Sequence, residues 1–179
     1  MLYLLLRDYG NLKQFPKPID PIEKEDIGIC DPYTMMYYEN IEEYNKFHPF
    51  NPEKPIVAIL FYGHTYPTDT SGCVAEIKNR LETITNVLPI AVSGPFTDNE
   101  EKYREIILSS TNIKIDLILN FMSFRLGAGP MGGDANGGVE FLKDVGVPYL
   151  HPYFMSRRTI KEWEKSVQGC STSEAMITV

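Results

Sequence analysis

The side chains best suited to chemistry are two histidines that each follow an apolar run. His64 comes soon after residues 56–62, and His151 directly follows residues 147–150. An imidazole changes charge near neutral pH and can move protons or bind a divalent metal, and Asp69 can orient His64 or share its ligand. We predict that His64 and His151 are metal ligands, which face each other if their strands are neighbours. The alternative is that each is an ordinary surface histidine.

A glycine-rich segment, residues 125–138, is the second feature. Six of its fourteen residues are glycine, so much of its backbone can take a positive φ or approach a ligand closely. No Gly-Lys-Ser/Thr sequence follows, and Pro130 breaks the spacing of a dinucleotide-binding fingerprint, which argues against nucleotides. We predict a ligand-binding loop, and the alternative is a mobile surface loop without a ligand. Arg157 and Arg158 are candidate partners for carboxylates, or else the solvated start of a helix.

Strands and helices alternate after residue 55. Continuous apolar runs, typical of strands covered on both faces, are followed by stretches with apolar residues three and four apart. This pattern predicts an α/β fold, with a parallel sheet of about four strands and flanking helices, flavodoxin-like or Rossmann-like. Ligands of such sheets bind beyond the carboxyl ends of the strands. The predicted strands are residues 56–62, 87–92, 115–122 and 147–150, and the predicted helices are residues 73–85, 99–109 and 138–145.

The two ends of the chain have a different character. Residues 1–54 are predicted to form a proline-rich N-terminal arm with a short helix near residues 40–46, and residues 55–179 the α/β domain. Near the other end, Ile160 and Trp163 have helical spacing, and we expect Trp163 to anchor a helix to the sheet. The spacing of a capping box in residues 171–174, with few apolar residues after it, leads us to expect a longer parent polypeptide.

Composition narrows the partners and the compartment. The formal charge of -7 offers no basic footprint, so nucleic acids are not expected as partners. The apolar residues 1–6 are too few for a membrane span or a secretory signal, which places the protein in the cytoplasm. Cys30, Cys73 and Cys170 fit small buried hydrophobic residues better than a disulfide framework or a zinc site.

The order of these motifs resembles the large subunit of cobaltochelatases and magnesium chelatases, the family of CobN and the magnesium chelatase large subunit. The likeness covers almost the whole chain, and the glycine-rich segment with Arg157 and Arg158 is most similar to the cobaltochelatase-like branch of archaea and anaerobic bacteria. The matching stretches are residues 28–32, 41–44, 57–62 with His64 and Asp69, 87–90, 123–124 with the glycine-proline loop, 147–149, 162–163 and 171–179.

This resemblance implies a part of the tetrapyrrole-binding large subunit of an ATP-dependent metal chelatase. Such an enzyme inserts cobalt or magnesium into a corrin or porphyrin ring, and cobalamin-type biosynthesis is favoured. The divalent metal is then a substrate, ATP acts only through AAA+ ATPase and adaptor subunits, and this chain alone should be inactive. The residues expected at the tetrapyrrole are His64, Asp69, Ser123, Arg125, Gly127, Gly129, Gly132, Gly133 and Arg157, with His64 and His151 at the metal.

Two positions depart from the pattern of that family. Asp31 stands where a histidine is common, which weakens a metal role for the arm. Tyr62, Gly63 and His64 stand where Arg-Ser-His is common, which removes an anion contact. The competing hypothesis is a non-catalytic flavodoxin-like binding or interaction module whose loops contact another domain of the parent chain. A free-standing small-molecule enzyme is disfavoured because a nucleophile with its base is missing.

Overall fold

The computed structural model of the protein describes residues 27–63, 69–93, 96–108, 113–122, 125–127, 133–152 and 159–167. Its strands are β1 (Ile27–Cys30), β2 (Tyr37–Tyr38), β3 (Ile56–Tyr62), β4 (Asn86–Val92), β5 (Leu117–Asn120) and β6 (Tyr149–Leu150). Its helices are α1 (Ile41–Phe47), α2 (Asp69–Leu81), α3 (Phe96–Leu108), α4 (Ala135–Val145) and α5 (Ile160–Glu164). The six described strands form one sheet in the order β2, β1, β4, β3, β5, β6.

The four strands predicted after residue 55 make up the parallel part of this sheet. β3 lies in the middle, with Leu60 opposite Ile90 of β4 on one side and Asn120 of β5 on the other. β6 runs parallel to β5 and pairs with its far edge. The predicted α/β class, with a mostly parallel sheet, is therefore confirmed.

Two further strands come from the arm, so the prediction of about four strands is too low. β1 pairs antiparallel with β4, where Ile29 lies opposite Ile90, and β2 pairs antiparallel with β1. β1 has four residues and β2 only two. Strands this short show too little alternation to be recognised in a proline-rich sequence, because their pairing depends on the sheet that receives them.

The side chains of β3 explain why the sheet is covered on both faces. Val57, Ile59 and Phe61 share one buried cluster with Val74 of α2. The alternate residue Leu60 belongs to the other cluster, which includes buried residues of α1, α3 and α4. Since successive side chains of a strand point to opposite faces, a strand that is apolar throughout requires helices on both.

Three helices begin earlier than their apolar spacing predicted, since α3 starts at Phe96 rather than at residue 99 and α4 at Ala135 rather than at residue 138. α2 starts at Asp69 rather than at residue 73, and ends at Leu81. Its early residues Gly72 and Cys73 are exposed, and apolar spacing only identifies the turns of a helix that face the core. The exposure of Cys73 also contradicts the prediction that it is buried, whereas Cys30 is buried as predicted.

The prediction that Trp163 anchors a helix to the sheet is wrong. α5 buries none of its residues, and Trp163 and Ile160 remain 44% and 68% exposed. A capping box in which Thr159 and Glu162 satisfy each other's backbone N–H groups stabilises this short helix locally. No helix within the described ranges is long and apolar enough to cross a membrane. Residues 1–6, Cys170 and residues 171–174, on which other predictions rest, lie outside those ranges.

Candidate functional site

The strand order creates a crevice between the carboxyl ends of β3 and β5. The chain leaves β3 for β4 on one side, whereas β5 pairs with the other side of β3. The loops that follow two such neighbouring strands separate, which is where parallel α/β sheets bind ligands. The amide of Phe121 donates to the carbonyl of Leu60 at 2.8 Å, so the two strands remain paired up to this edge. Gly63 and Met122, the last described residues after β3 and β5, therefore lie beside the crevice.

Asn120 and His151 hold the backbone where the chain leaves β5. The Oδ1 atom of the buried Asn120 accepts a 2.9 Å hydrogen bond from the amide of Met122. The Nε2 atom of His151 lies 2.8 Å from the carbonyl oxygen of Met122. Because a carbonyl oxygen can only accept, Nε2 carries the hydrogen, and in the neutral ring Nδ1 keeps its lone pair. A donor bond of this kind to a backbone carbonyl is the usual way in which metal-binding histidines are oriented.

Tyr149 extends this network to the base of the glycine-rich segment. Its hydroxyl accepts from Nδ2 of Asn120 at 2.7 Å and from the amide of Leu126 at 3.4 Å. Burial raises the pKa of Tyr149 by more than these two hydrogen bonds lower it, so the group is a neutral hydroxyl at physiological pH. Two accepted bonds leave its own hydrogen available for a third partner. The backbone amides of Met122 and Leu126 are thus held by side chains of β5 and β6.

Close backbone contacts also hold the two ends of the glycine-rich segment, around Gly127 and Gly138, against each other. Gly127 has a φ of 78°, and a Cβ atom added there would collide with the carbonyl oxygen of Asp134. A Cβ atom at Gly138 would lie 2.8 Å from the carbonyl oxygen of Leu126. Asp134 caps α4 by accepting from the amide of Gly137 at 2.8 Å. Gly127 and Gly138 therefore serve packing at the two ends of the segment.

The predicted site residues divide into those that the structure describes and those that it does not. Arg125 and Gly133 are exposed, Gly127 is buried, and His151 is partly buried. Asp69 is the first residue of α2. The remaining predicted residues lie outside the described residues: His64, Ser123, Gly129, Gly132 and Arg157.

The condition under which His64 and His151 would face each other is not met. β5 lies between β3, which precedes His64, and β6, which precedes His151. Because two strand spacings lie between them, the backbones of β3 and β6 are about 10 Å apart. No group of three or more potential metal-binding His, Cys, Asp or Glu side chains is found within the described part of the chain.

Sequence reasoning missed Asn120 and Tyr149 as site residues. A polar amide at the end of an otherwise apolar strand was the available signal, since Asn120 follows Leu117, Ile118 and Leu119. A buried side-chain amide needs hydrogen-bond partners. At the carboxyl end of a parallel strand, those partners lie next to the edge where such sheets bind ligands. The partners themselves are not predictable from the sequence because they come from β6, 29 residues away.

Asp31, whose presence in place of a histidine weakened a metal role for the arm, forms a buried ion pair with Lys78. Its Oδ2 lies 3.4 Å from Nζ of Lys78 on α2, and both side chains are buried. Its Oδ1 accepts from the amides of Tyr33 and Thr34 at 3.0 and 2.9 Å. Burial alone would raise the pKa of Asp31, but the Thr34 hydrogen bond and the charge of Lys78 outweigh it and lower that pKa. β1 runs antiparallel, so Asp31 lies toward the amino ends of the parallel strands, away from the crevice.

A sequence model of the CobN/magnesium chelatase family matches residues 1–179. The chain belongs to this family. It is 29% identical over 177 residues to an uncharacterised protein of Methanocaldococcus jannaschii. The matched region covers 91% of this chain and 14% of that protein. It is 25% identical over 163 residues to the H-type magnesium-chelatase subunit of Rhodobacter capsulatus, covering 91% of this chain and 13% of that relative. The corresponding magnesium-chelatase subunit of Chlorobaculum parvum is 23% identical over 179 residues, with 92% and 13% covered.

The structure shows why a glycine fits at position 63, one of the two departures noted in the sequence. A Cβ atom at Gly63 would lie 2.5 Å from Cβ of Ala91 and 2.8 Å from the hydroxyl of Tyr37. A serine at this position would therefore require both neighbours to move. Burial raises the pKa of Tyr37 to about 12, and the adjacent Cys30 adds to the shift. Tyr37 belongs to β2, so the arm contacts the chain just before the predicted ligand loop.

Proposed function

We propose that this chain supplies part of the tetrapyrrole and metal site of a metal chelatase large subunit. The observation that carries the proposal is the match of the whole chain to the CobN/magnesium chelatase family. The whole enzyme would insert cobalt or magnesium into a corrin or porphyrin ring, with cobalamin-type biosynthesis favoured. The metal is then a substrate. ATP hydrolysis would come from AAA+ and adaptor partners, and this chain alone should not catalyse.

The proposal places the ring over the carboxyl ends of β3 and β5. The parallel strands, numbered along the chain, have the order 2-1-3-4, which begins the flavodoxin-like order and sets the crevice between its first and third strands. Exposed Arg125 lies at this edge and suits the carboxylates of a tetrapyrrole. His64, Asp69, Ser123 and Arg157 are proposed to complete the binding site with the glycine-rich segment.

The metal contact is proposed at the imidazoles of His151 and His64. The hydrogen bond from Nε2 of His151 to the carbonyl oxygen of Met122 supports this role, because it leaves Nδ1 as the ligand atom. A single imidazole binds a divalent metal weakly, so His151 would need other ligands. The ring nitrogens of the tetrapyrrole and His64 are the proposed sources.

Titration of the purified chain with a porphyrin, a corrin and Co2+ tests this function. Visible absorbance reports the ring, and the NMR signals of the three histidines report the metal. We expect the signals of His64 and His151 to shift or broaden with Co2+, while His48 serves as an internal control. His48 bonds to the hydroxyl of Tyr38 at 3.1 Å and packs on Tyr44, in the part of the fold formed by α1 and β2.

Two matched substitutions sharpen the test. His151→Gln should weaken Co2+ binding at least tenfold, and His48→Gln should leave it within twofold, since only the first removes a proposed ligand. Equal losses in the two variants would contradict the metal assignment.

The second candidate function is an interaction module whose loops contact another domain of a longer polypeptide. Exposed apolar side chains favour it, notably Leu150 and Trp163, which are 54% and 44% exposed. An interaction module predicts that neither the rings nor Co2+ change any spectrum. Ring binding in the micromolar range, weakened about tenfold on substitution of Arg125, would favour the chelatase role.

A further inference from the structure

Among the described strands, β6 is the last one on its side of the sheet, and its outer side is open. β6 pairs with β5 through Ile118 opposite Tyr149 and Leu119 opposite Leu150. No other strand within the described ranges pairs with β6. Leu150 is 54% exposed although it lies in a strand of the sheet. An apolar edge strand of this kind offers unpaired backbone groups to any further strand.

The prolines beside β6 do not close this edge. The amide of Ile118 donates to the carbonyl oxygen of Pro148 at 3.0 Å, so the backbone groups of Pro148 point toward β5. Backbone groups of successive residues in a strand alternate between its two sides. Pro152 has the same parity as Pro148, whereas the N–H and C=O groups of Tyr149 and His151 point outward. The missing N–H groups therefore fall on the inner side, and the outer side keeps its donors and acceptors.

The segment that follows β6 also has apolar side chains without cover. Ile160 and Val167 are 68% and 102% exposed, and α5 buries no residue. A helix of five residues is too short to be stable in water without tertiary contacts. After a strand of a parallel sheet, a helix normally packs on the sheet and leads to the next parallel strand. Within the described residues, α5 and its exposed apolar neighbours contact no such strand.

We propose that the outer edge of β6 pairs with one further parallel strand of the same polypeptide, which covers Leu150. The order 2-1-3-4 of the parallel strands is continued in flavodoxin-like sheets by a fifth strand beside the fourth, which here is β6. The relatives are long enough to provide it, since this chain covers only 13 to 14% of their length. The inference rests on membership of the family and not on metal or tetrapyrrole binding.

Thiol labelling of Leu150→Cys tests the pairing in two polypeptides, the chain of 179 residues and a polypeptide of the length of the relatives. Cys73 and Cys170 are replaced by serine in both, and buried Cys30 is kept. We expect Leu150→Cys to react with maleimide at least 100-fold more slowly in the longer polypeptide. The matched control Ile84→Cys, at a position 68% exposed beyond the far end of α2, should react equally in both.

Hydrogen exchange gives the same answer without a substitution in the strand. The outward amides of Tyr149 and His151 should exchange at least 100-fold more slowly in the longer polypeptide. Equal labelling and equal exchange in the two polypeptides would overturn the proposal. Protection in the chain of 179 residues would also overturn it: a dependence on protein concentration would identify a second copy as the occupant, and no such dependence would identify residues 1–179 themselves. Each result is independent of whether a ring or Co2+ binds.

Discussion

The backbone itself requires a glycine at position 127. Gly127 combines a left-handed φ of 78° with a contact to the carbonyl oxygen of Asp134 that leaves no space for a Cβ atom. Gly146, which ends α4, has a similar φ of 66°, but the nearest atom to a Cβ atom there lies 3.7 Å away. The two glycines share a conformation and differ in their surroundings, so they separate the effect of backbone strain from that of packing.

Gly127→Ala should therefore destabilise the fold more than Gly146→Ala. The left-handed conformation costs alanine about 1 to 2 kcal/mol at either position. The collision at position 127 adds about 1 to 3 kcal/mol. Urea unfolding followed by circular dichroism gives the two free energies of unfolding. Equal losses of unfolding free energy in the two variants would show that the two ends of the glycine-rich segment are not in contact in solution.

The carboxylate of Asp31 should stabilise the fold above about pH 4. Its pKa in the folded protein lies below the unfolded value of about 3.9, so its contribution is fully present above that value and disappears as the pH falls through the folded pKa. Asp31→Asn keeps an oxygen for the amides of Tyr33 and Thr34 and removes the charge beside Lys78. We expect a loss of about 1 to 3 kcal/mol at pH 7 that decreases on acidification.

A surface carboxylate provides the control for Asp31. Glu76 forms an exposed ion pair with Arg80 on α2, with its side chain 59% exposed. Glu76→Gln should change the free energy of unfolding by less than about 0.5 kcal/mol at every pH. A loss for Asp31→Asn that stays constant from pH 7 to pH 3 would contradict the assigned role of the charge.

At the residue scale, the sequence predicts candidate residues that belong to a visible motif. It does not predict residues whose role depends on a hydrogen-bond partner far away along the chain. The glycine-rich segment and His151 could be predicted as site residues because glycine content and position after a strand are visible along the chain. Asn120 and Tyr149 were missed because their roles come from hydrogen bonds between β5 and β6. Asp31 was recognised only as a departure from a pattern, and its ion pair with Lys78 crosses from the arm to α2.

At the scale of elements, the apolar runs predicted the parallel strands well and the edges of the sheet poorly. β3 spans the seven residues that the sequence predicted, because each of them has a buried or partly buried side chain. β1 and β2 were missed because a short strand in a proline-rich arm has no periodicity of its own. α5 was found, but its packing was not, because helical spacing of Ile160 and Trp163 indicates an apolar face without showing what covers it.

Trp163→Ala should barely change the stability of the chain of 179 residues. α5 buries none of its residues, and substitutions at exposed positions usually change the free energy of unfolding by less than about 0.5 kcal/mol. Phe141→Ala on α4 is the contrasting variant. Phe141 is fully buried, and its loss should cost about 3 to 5 kcal/mol. A comparable loss for Trp163→Ala would show that α5 packs against the fold.

At the scale of the whole molecule, the two ends of the parallel strands hold different groups, a buried ion pair at one end and the proposed binding site at the other. The ion pair of Asp31 and Lys78 lies toward the amino ends and ties the arm to α2. The hydrogen bonds of Asn120, Tyr149 and His151 lie at the carboxyl ends and hold the base of the glycine-rich segment. A variant at one end should therefore affect a different property from a variant at the other.

Arg125→Ala and Asp31→Asn test this division together. Arg125 is exposed, so its removal should leave the free energy of unfolding within about 0.5 kcal/mol of the wild-type value. If Arg125 meets a carboxylate of the ring, porphyrin affinity should fall about tenfold, which corresponds to about 1.4 kcal/mol. Asp31→Asn should lower the stability and leave the porphyrin affinity of the folded protein unchanged.

Arg80→Ala, which removes an exposed arginine from α2, controls for the loss of positive charge. If Arg80→Ala weakens porphyrin binding as much as Arg125→Ala, the interaction is a general charge effect and the crevice at β3 and β5 is not the ring site.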